Sequence, residues 1–202
     1  MQPALMRCLV VHAHPLGQSL TRHFCDAARD ELTACGHAVD FLDLYAIDFD
    51  PRLTARERAT HHAAEPDHGA VLEHTSLLAA AEVVVLVFPR WWFGLPAILK
   101  GWIDRVFAPG VGFAHGENFG PIKPLLVNLR HAVAITTLGS PWWIELFVMR
   151  RPVRNQLKNA VFRACAPRAG FTYLPFHSSE TANPQRVGAF VGKIRSALAV
   201  LG

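Results

Sequence analysis

Residues 88–107 read FPRWWFGLPAILKGWIDRVF, and this stretch indicates the fold more clearly than any other part of the chain. It begins at the end of an apolar run, residues 83–88, of the kind found in parallel strands that are buried on both faces. Three aromatic residues follow in a segment with Gly94 and Pro96, although loops usually carry polar side chains. From Pro96 onward, apolar residues recur at intervals of three and four, which is typical of a helix. The stretch therefore predicts a strand, an aromatic loop that faces a flat ligand, and a helix.

The alternation of strand and helix patterns continues along the rest of the chain. Short apolar runs predict five strands, at residues 7–13, 38–45, 83–88, 131–137 and 171–176. Periodic apolar residues predict further helices at residues 19–35, 71–81, 142–166 and 184–201, the third of them broken at Pro152. This alternation predicts an α/β fold, a five-stranded parallel sheet with helices on both faces. We expect a single domain over residues 1–202, with either the dinucleotide-binding or the flavodoxin-like strand order.

The loop after the first strand distinguishes these two orders. Residues 14–21 read HPLGQSLT and lack the GxGxxG turn of dinucleotide-binding proteins, and the chain has no GxxxxGK[ST] motif. Ser19 and Thr21 stand at the start of the predicted helix, where hydroxyls, free amides and the positive helix end can hold a phosphate. His14 is a candidate donor to the same phosphate. The alternative is that Ser19 is only an N-cap.

A third segment closes the fourth predicted strand with small polar residues. It contains Thr136, Thr137, Leu138, Gly139 and Ser140. Its backbone amides are candidates for hydrogen bonds to the carbonyls of an aromatic heterocycle, because ligands bind at the carboxyl ends of strands in such folds. The alternative interpretation is an ordinary turn.

Composition excludes several classes of protein. The net charge of +4 comes from 20 basic and 16 acidic residues, without a dense basic tail or a recognisable nucleic-acid-binding module. Residues 1–15 lack the apolar length and cleavage site of a secretory signal, so we expect none, and no run reaches roughly 18 apolar residues. Its four cysteines form no CxxC pair, which favours free thiols in a reducing compartment. We expect a cytoplasmic protein with no membrane insertion and no nucleic-acid partner.

Two groups of histidines are candidate metal ligands. His12 and His14 share one face of the first strand, and residues 61–68 read HHAAEPDH. Neither group has a complete ligand set nearby in the sequence, and histidines in polar loops are usually solvated. The sequence therefore predicts no metal site.

Together, the three loops resemble those of the NAD(P)H:quinone oxidoreductase family of flavodoxin-like flavoproteins, which includes quinone reductases and potassium-efflux ancillary oxidoreductases. Family members carry P-x-x-W-F followed by PAxLKxWxDRVF. The chain matches this pattern at Pro89, Trp92, Phe93, Pro96, Leu99, Lys100, Trp102, Asp104, Arg105, Val106 and Phe107. The resemblance extends to AHPLGQS, to GVGF at residues 110–113 and to ITT at residues 135–137, and becomes thin beyond Ser140.

The resemblance implies a flavodoxin-like fold and a bound flavin, either FMN or FAD, with FMN preferred. The residues that it assigns to the flavin phosphate are His14, Ser19, Leu20 and Thr21. Those that it places along the isoalloxazine ring are Pro89, Arg90, Trp91, Trp92, Phe93, Thr136, Thr137, Leu138 and Gly139. Leu138 stands where the family has a glycine. The resemblance also implies a homodimer.

The implied activity is that of an enzyme that passes two electrons as hydride from NAD(P)H through the flavin to a quinone-like acceptor. Candidate substrate-binding residues are Phe113, Trp142, Trp143 and Arg150, although each tryptophan is equally typical of core or dimer packing. Arg150, Arg154 and Lys158 would form a basic stripe on a continuous helix, either for the NADPH 2′-phosphate or as a solvated face. No Tyr–His pair follows TTLGS, so no catalytic residue is assigned.

Two rival functions use the same motifs. One is a redox-sensing ancillary subunit of a membrane transporter, in which the state of the flavin is the signal. The other is a one-electron carrier of the flavodoxin type, which the basic charge disfavours because the partners of such carriers usually require an acidic surface. The sequence alone does not distinguish NADH from NADPH or identify the acceptor.

Overall fold

The computed structural model describes residues 5–116 and 120–201. Its main sheet contains five parallel strands in the order β2-β1-β3-β6-β7. The five strands are β1 (Arg7–His12), β2 (Ala38–Asp43), β3 (Val83–Pro89), β6 (His131–Thr137) and β7 (Gly170–Phe176). Two short strands, β4 (Phe113–Ala114) and β5 (Lys123–Pro124), form a separate antiparallel pair. The predicted five-stranded parallel sheet is therefore confirmed, with the flavodoxin-like order.

Helices cover both faces of this sheet. They are α1 (Leu20–Ala34), α2 (Ala55–Ala59), α3 (Leu72–Ala80), α4 (Ala97–Val106), α5 (Pro152–Asn155), α6 (Arg163–Cys165) and α7 (Pro184–Ala199). Two π-helical segments, Ile144–Val148 and Gln156–Phe162, belong to the region predicted as one helix with a break. None of the described helices has the length and apolarity required to cross a membrane.

The central strand β3 explains why the sheet is covered on both sides. All seven of its residues are buried, and alternate side chains enter two different apolar clusters. One cluster includes α1 and α7, with Phe24 and Ile194 fully buried, and the other includes α3 and α4, with Leu78 and Trp102 fully buried. A strand with apolar residues at every position requires such a double cover, because side chains alternate between the faces of a sheet.

The long connection between β2 and α3 is fixed to α4 by charged and backbone contacts. Glu57 completes a capping box with Thr54 at the start of α2. The buried Arg105 of α4 donates from Nε to Oε1 of Glu57 at 2.9 Å and from Nη1 to the carbonyl of Asp50 at 2.6 Å. Gly101 of α4 packs so closely on the connection that a Cβ there would lie 2.1 Å from the backbone oxygen of Pro51. Arg105 of the family signature therefore holds the connection against α4, and the missing side chain at Gly101 permits the close approach.

The region 142–166 contains a break between its two π-helical segments. Arg150 and Arg151 adopt left-handed backbone angles, with φ of 55° and 54°, and α5 then begins at Pro152. The break at Pro152 was predicted, since proline fits the first turn of a helix but not its interior. The predicted stripe of Arg150, Arg154 and Lys158 is wrong at its first member, because Arg150 lies outside the helix.

Candidate functional site

The three loops singled out in the sequence meet at one edge of the sheet. Pro89 at the end of β3 pairs with Thr137 at the end of β6, and His12 at the end of β1 pairs with Val87. Two hydrogen bonds extend this pairing beyond the strands, from the Arg90 amide to the Thr137 carbonyl at 2.8 Å and from the Ala13 amide to the Val87 carbonyl at 3.0 Å. Parallel strands bring their carboxyl ends together, which is where open α/β sheets bind ligands.

The first loop leads into the N-terminus of α1. Ser19 is the N-cap, since its Oγ accepts a hydrogen bond from the Arg22 amide at 3.0 Å. Nδ1 of His14 accepts from the Leu16 amide at 3.0 Å, and the His14 ring lies 6.5 Å from the ring of Trp91. The capping role of Ser19 is thus present, and its hydroxyl retains capacity to donate to a ligand oxygen.

Two threonines of the predicted site, Thr21 and Thr137, join its segments. Thr21 Oγ1 lies 3.1 Å from Thr137 Oγ1, and both side chains are buried. Leu20 is partly buried against the α1–α7 cluster. The hydroxyl of Thr21 therefore connects the loop after β1 to the end of β6.

The aromatic loop is a tight turn with left-handed residues. The Gly94 amide donates to the Trp91 carbonyl at 2.9 Å, and the two intervening residues, Trp92 and Phe93, have φ of 52° and 57°. Trp92 is 99% exposed and Trp91 is 44% exposed. Left-handed angles at residues with a Cβ cost on the order of 1–3 kcal/mol each and persist only where other interactions offset them. The turn thus combines backbone strain with an exposed indole, and strain of this kind is concentrated at binding sites.

Behind this turn lies a buried ionic network that the sequence did not reveal. The guanidinium of Arg90 pairs with both carboxylate oxygens of Glu145, with Nη2 at 3.1 Å from Oε2. Tyr173 of β7 donates to Oε1 of Glu145 at 2.8 Å, and His177 Nε2 lies 2.5 Å from Oε2. Arg90 and Glu145 are 5% and 2% exposed. Three groups from distant parts of the chain therefore converge on one buried carboxylate.

The ionisation of this network follows from its contacts. Burial alone would raise the pKa of Glu145, but hydrogen bonds from His177 and Arg90 outweigh burial and lower that pKa to about 2. Burial raises the pKa of Tyr173 above its usual value. Glu145 is thus an anion and Tyr173 a neutral donor at neutral pH. A Tyr and a His do lie at the site, but on β7 and just beyond it, and not directly after TTLGS.

Two clefts open on either side of the Arg90–Glu145 pair. The first, about 440 Å³, is lined by Arg90, Trp92, Phe93, Leu138, Gly139, Ser140 and Glu180. The second, about 290 Å³, is lined by Trp142, Glu145, Leu146, Arg151, Arg154, Phe171, Tyr173, Pro175 and His177. The first cleft joins the aromatic loop to the TTLGS segment, as the sequence predicts for a flat ligand.

The predicted substrate-binding residues are dispersed. Trp142 lines the second cleft, and Trp143 is about half exposed beside it in sequence. Arg150 is exposed, and its carbonyl accepts from Asn155 Nδ2 at 2.7 Å. Phe113 belongs to β4 and lines a different cleft together with His61. The structure therefore gathers Trp142 near the network, whereas Phe113 lies in another cleft.

The polar groups at this edge fit the heterocyclic cofactor that the sequence predicts. Among the described residues, three buried polar atoms lack a hydrogen-bond partner: Arg90 Nε, Thr136 Oγ1 and His12 Nε2. Buried polar groups are almost always paired, so each requires a ligand or a water molecule. Glu180 lies against Gly139, where a Cβ would be 2.8 Å from the carboxylate Oε1 at the end of its exposed side chain. Arg90 Nε is a donor, the Thr136 hydroxyl donates or accepts, and His12 Nε2 accepts when Nδ1 donates to Asp43, so the edge offers both kinds of polar group to a flat ring with a polar edge.

Comparisons with known proteins agree with this geometry. The family model described as flavodoxin-like fold matches residues 6–198. An uncharacterized NAD(P)H oxidoreductase of Haemophilus influenzae is 31% identical over 161 residues, covering 79% of this chain and 78% of that protein. NAD(P)H dehydrogenase [quinone] 1 of Cavia porcellus is 31% identical over 68% of this chain and 55% of that protein. The structure of the NAD(P)H:quinone oxidoreductase from Methanothermobacter marburgensis matches 98% of this chain and 96% of that one, with a TM-score of 0.83 and 23% identity, a likeness of fold.

The matches to several curated relatives cover only part of those proteins. The alignments span about half the length of several curated relatives, between 48% and 55% for the Penicillium crustosum, Pongo abelii and Cavia porcellus proteins. The family model, by contrast, matches nearly the whole chain. The chain therefore belongs to the flavodoxin-like family that contains these NAD(P)H:quinone oxidoreductases.

Proposed function

We propose that the chain is a flavin-dependent NAD(P)H oxidoreductase with a quinone-like acceptor. The observation that carries this proposal is the first cleft, where an exposed, left-handed aromatic turn faces the TTLGS segment beside the unpartnered Nε of the buried Arg90. A bound flavin supplies the chemistry, accepting a hydride from NAD(P)H and passing two electrons to the acceptor. The names of the relatives from Haemophilus influenzae and Cavia porcellus agree with this activity.

The phosphate of the flavin is proposed to bind at the N-terminus of α1. The amides of Leu20 and Thr21 are unpaired in the first turn of a helix, and the helix dipole favours an anion there. His14 is close enough to the aromatic loop to contact the same ligand, since its ring lies 6.5 Å from that of Trp91. FMN is preferred to FAD because residues 14–21 lack the glycine turn through which a dinucleotide pyrophosphate approaches the backbone.

The ring is proposed to lie between the aromatic loop and residues 136–139. Trp91, Trp92 and Phe93 supply aromatic contacts, each worth about 0.5–1.5 kcal/mol beyond burial. Arg90 lines the first cleft and is held by Glu145 in a fixed orientation, so its guanidinium would lie beside the ring and stabilise the negative charge that develops there on reduction. This chain's residues thus position the planar partners and stabilise charge.

We propose that the 2′-phosphate of NADPH binds in the second cleft. Arg151 and Arg154 line this cleft beside Trp142, so cationic side chains and an aromatic wall lie together. Arg154→Ala should raise the KM for NADPH and leave the KM for NADH unchanged, with Lys158→Ala as the control because Lys158 does not line this cleft. An equal rise in the KM for NADH and for NADPH would contradict binding of the 2′-phosphate in this cleft.

The experiment that tests the function is a visible spectrum of the purified full chain after loading with FMN or FAD. We expect a yellow protein that is bleached anaerobically by NADH or NADPH and recovers its colour when a benzoquinone is added. Chromatography of the released cofactor distinguishes FMN from FAD. A protein that binds neither flavin, or that binds one and is not bleached by either nucleotide, contradicts the proposal.

The family resemblance also implies a homodimer, and an apolar surface is available for it. Trp142, Phe147 and Val148 are 58%, 67% and 62% exposed. Contiguous exposed apolar patches commonly mark protein interfaces. Sedimentation analysis of the wild type and of Phe147→Glu tests this assignment, since the substitution should yield monomers. Dimers that persist unchanged in the variant place the interface elsewhere.

A further inference from the structure

The long connection after β2 and the hairpin β4–β5 bring three histidines together. His61 and His62 follow α2, and His115 follows β4. One ring nitrogen from each residue can be chosen so that all three lie within 4.8 Å of one another. The ring centroids of His62 and His115 are 4.4 Å apart, and those of His61 and His115 are 5.3 Å apart. The sequence predicted no metal here because His115 lies 54 residues from His61.

We propose that His61, His62 and His115 form a binding site for a divalent transition-metal ion, with Zn²⁺ as the first candidate. Zn²⁺ binds imidazole nitrogens at about 2.0–2.1 Å in tetrahedral sites, which corresponds to nitrogen–nitrogen separations of about 3.4 Å. The three ring nitrogens lie within 4.8 Å of one another, so only a small rotation of these partly exposed rings would bring them to that separation. Three nitrogen ligands favour Zn²⁺, Cu²⁺ or Ni²⁺ over Mg²⁺ and Ca²⁺, which prefer oxygen.

The hydrogen bonding of His115 prepares it as a ligand. Its Nε2 lies 3.1 Å from the carbonyl oxygen of His61, to which it can donate. In that neutral tautomer, Nδ1 has a free lone pair. Metal-ligating histidines almost always donate their other ring N–H to a carbonyl, a carboxylate or water, which fixes the ring orientation. The cluster thus already contains a contact of the kind that supports metal ligands.

The backbone that carries these rings is held in place. Thr60 precedes His61, and its Oγ1 accepts from the Asp67 amide at 3.0 Å. His68 Nε2 lies 2.9 Å from the carbonyl oxygen of Pro109, which links the connection to the segment before β4. These contacts hold the two ligand-bearing segments at a fixed separation, so less conformational entropy is lost when a metal binds.

The cluster also has room for a further ligand. Neutral imidazole is the form that binds metals. Three protein ligands leave a fourth position for water, and the exposed rings of His62 and His115 give access from solvent. The site is separate from the first cleft, so it stands whether or not flavin binds.

The test is calorimetric titration of ZnCl₂ into the full chain, prepared without a histidine tag and treated with chelator. We expect one ion per chain and at least tenfold weaker binding in His62→Ala and in His115→Ala, since each loses one of three ligands. His23→Ala is the control, because His23 is an exposed histidine of α1 outside the cluster. Thermal melts of the variants without metal show whether each one folds.

Two further readouts decide the outcome. Zn²⁺ should raise the Tm of the wild type and of His23→Ala but not that of His115→Ala, because only a ligand of the folded state stabilises it. Cu²⁺ bound to the wild type should give nitrogen hyperfine coupling in electron paramagnetic resonance, reduced in both cluster variants. Absence of binding to the wild type overturns the proposal, and so does unchanged affinity in the folded variants.

Discussion

The left-handed turn at Trp92 leads to a sharp prediction about stability. Trp92 has φ of 52° and a side chain that is 99% exposed. Replacing it by alanine or by glycine removes the same exposed ring, but only glycine adopts this backbone angle without steric cost. The difference between the two variants therefore isolates the backbone and cancels the loss of the indole.

The magnitude follows from two opposing terms. A left-handed angle costs a residue with a Cβ about 1–2 kcal/mol. Glycine gives back about 0.4–1 kcal/mol of this because its unfolded chain has more conformational freedom. The glycine variant should thus be more stable than the alanine variant by about 1 kcal/mol, which corresponds to a Tm difference of about 2–4 °C in a chain of this size.

Thermal and urea denaturation of the flavin-free variants measure this difference. The same pair of substitutions at Trp143 is the control, because Trp143 has right-handed angles, φ −70° and ψ −32°, and there alanine should be the more stable. An alanine variant at position 92 that equals or exceeds the glycine variant would refute the reasoning. If the indole contacts flavin, both variants at position 92 should also bind FMN about 2- to 13-fold more weakly, and to the same extent.

Three further predictions concern packing, charge and thiols. Gly101→Ala should lower the free energy of unfolding by about 1–3 kcal/mol, whereas Gly192→Ala, with no atom within 4 Å of the new Cβ, should raise it by about 0.5–1 kcal/mol; urea titration measures both. Glu145→Gln should lower the free energy of unfolding by about 3–5 kcal/mol, because it leaves the Arg90 charge buried without its partner. The control Asp104→Asn, at an exposed ion pair, should lower it by less than about 1 kcal/mol. The pKa of Glu145 in the folded protein, about 2, is below its ordinary value of 4.5. The ionised carboxylate therefore contributes its full stabilisation above pH 4.5 and loses it as the pH falls toward 2. Acid titration of the wild type should show this loss of stability, and acid titration of Glu145→Gln should not. Burial raises the pKa of the Cys8, Cys25 and Cys165 thiols to about 11 or 12, so we expect Ellman's reagent at pH 8 to modify these three only after unfolding. Cys35 is partly exposed, so rapid labelling of more than one thiol per native chain would contradict this.

Much of the fold could be predicted from the sequence because its signals are local. The fully buried β3 appears as an uninterrupted apolar run, and Pro96 marks the approach to α4. Once parallel strands and right-handed crossovers are accepted, the loops after β1, β3 and β6 must share one edge. The meeting of His14, Trp91 and Thr137 at that edge therefore followed from topology, without knowledge of any side-chain contact.

The buried network could not be predicted, because its members are far apart along the chain. Arg90 and Glu145 are separated by 55 residues, and Glu145 and His177 by 32. Glu145 stands in the apolar segment IELFV, and this isolated charge was the only local signal for a buried ion pair. No Tyr–His pair follows TTLGS directly, because Tyr173 comes to the site from the neighbouring strand β7.

The energetic costs of the structure concentrate at the same edge as its donors. Residues 90–93 contain a buried guanidinium and two left-handed aromatic residues in succession. At about 1–3 kcal/mol for each strained angle, this short segment opposes a total stability that for a domain is about 5–15 kcal/mol. Glycine or asparagine at positions 92 and 93 would relieve the strain, and Trp92, which is 99% exposed, contributes almost no burial in return. A segment of this kind is stable on balance when a ligand covers its rings and pairs its unpartnered donor, so the local cost and the proposed flavin site have one explanation.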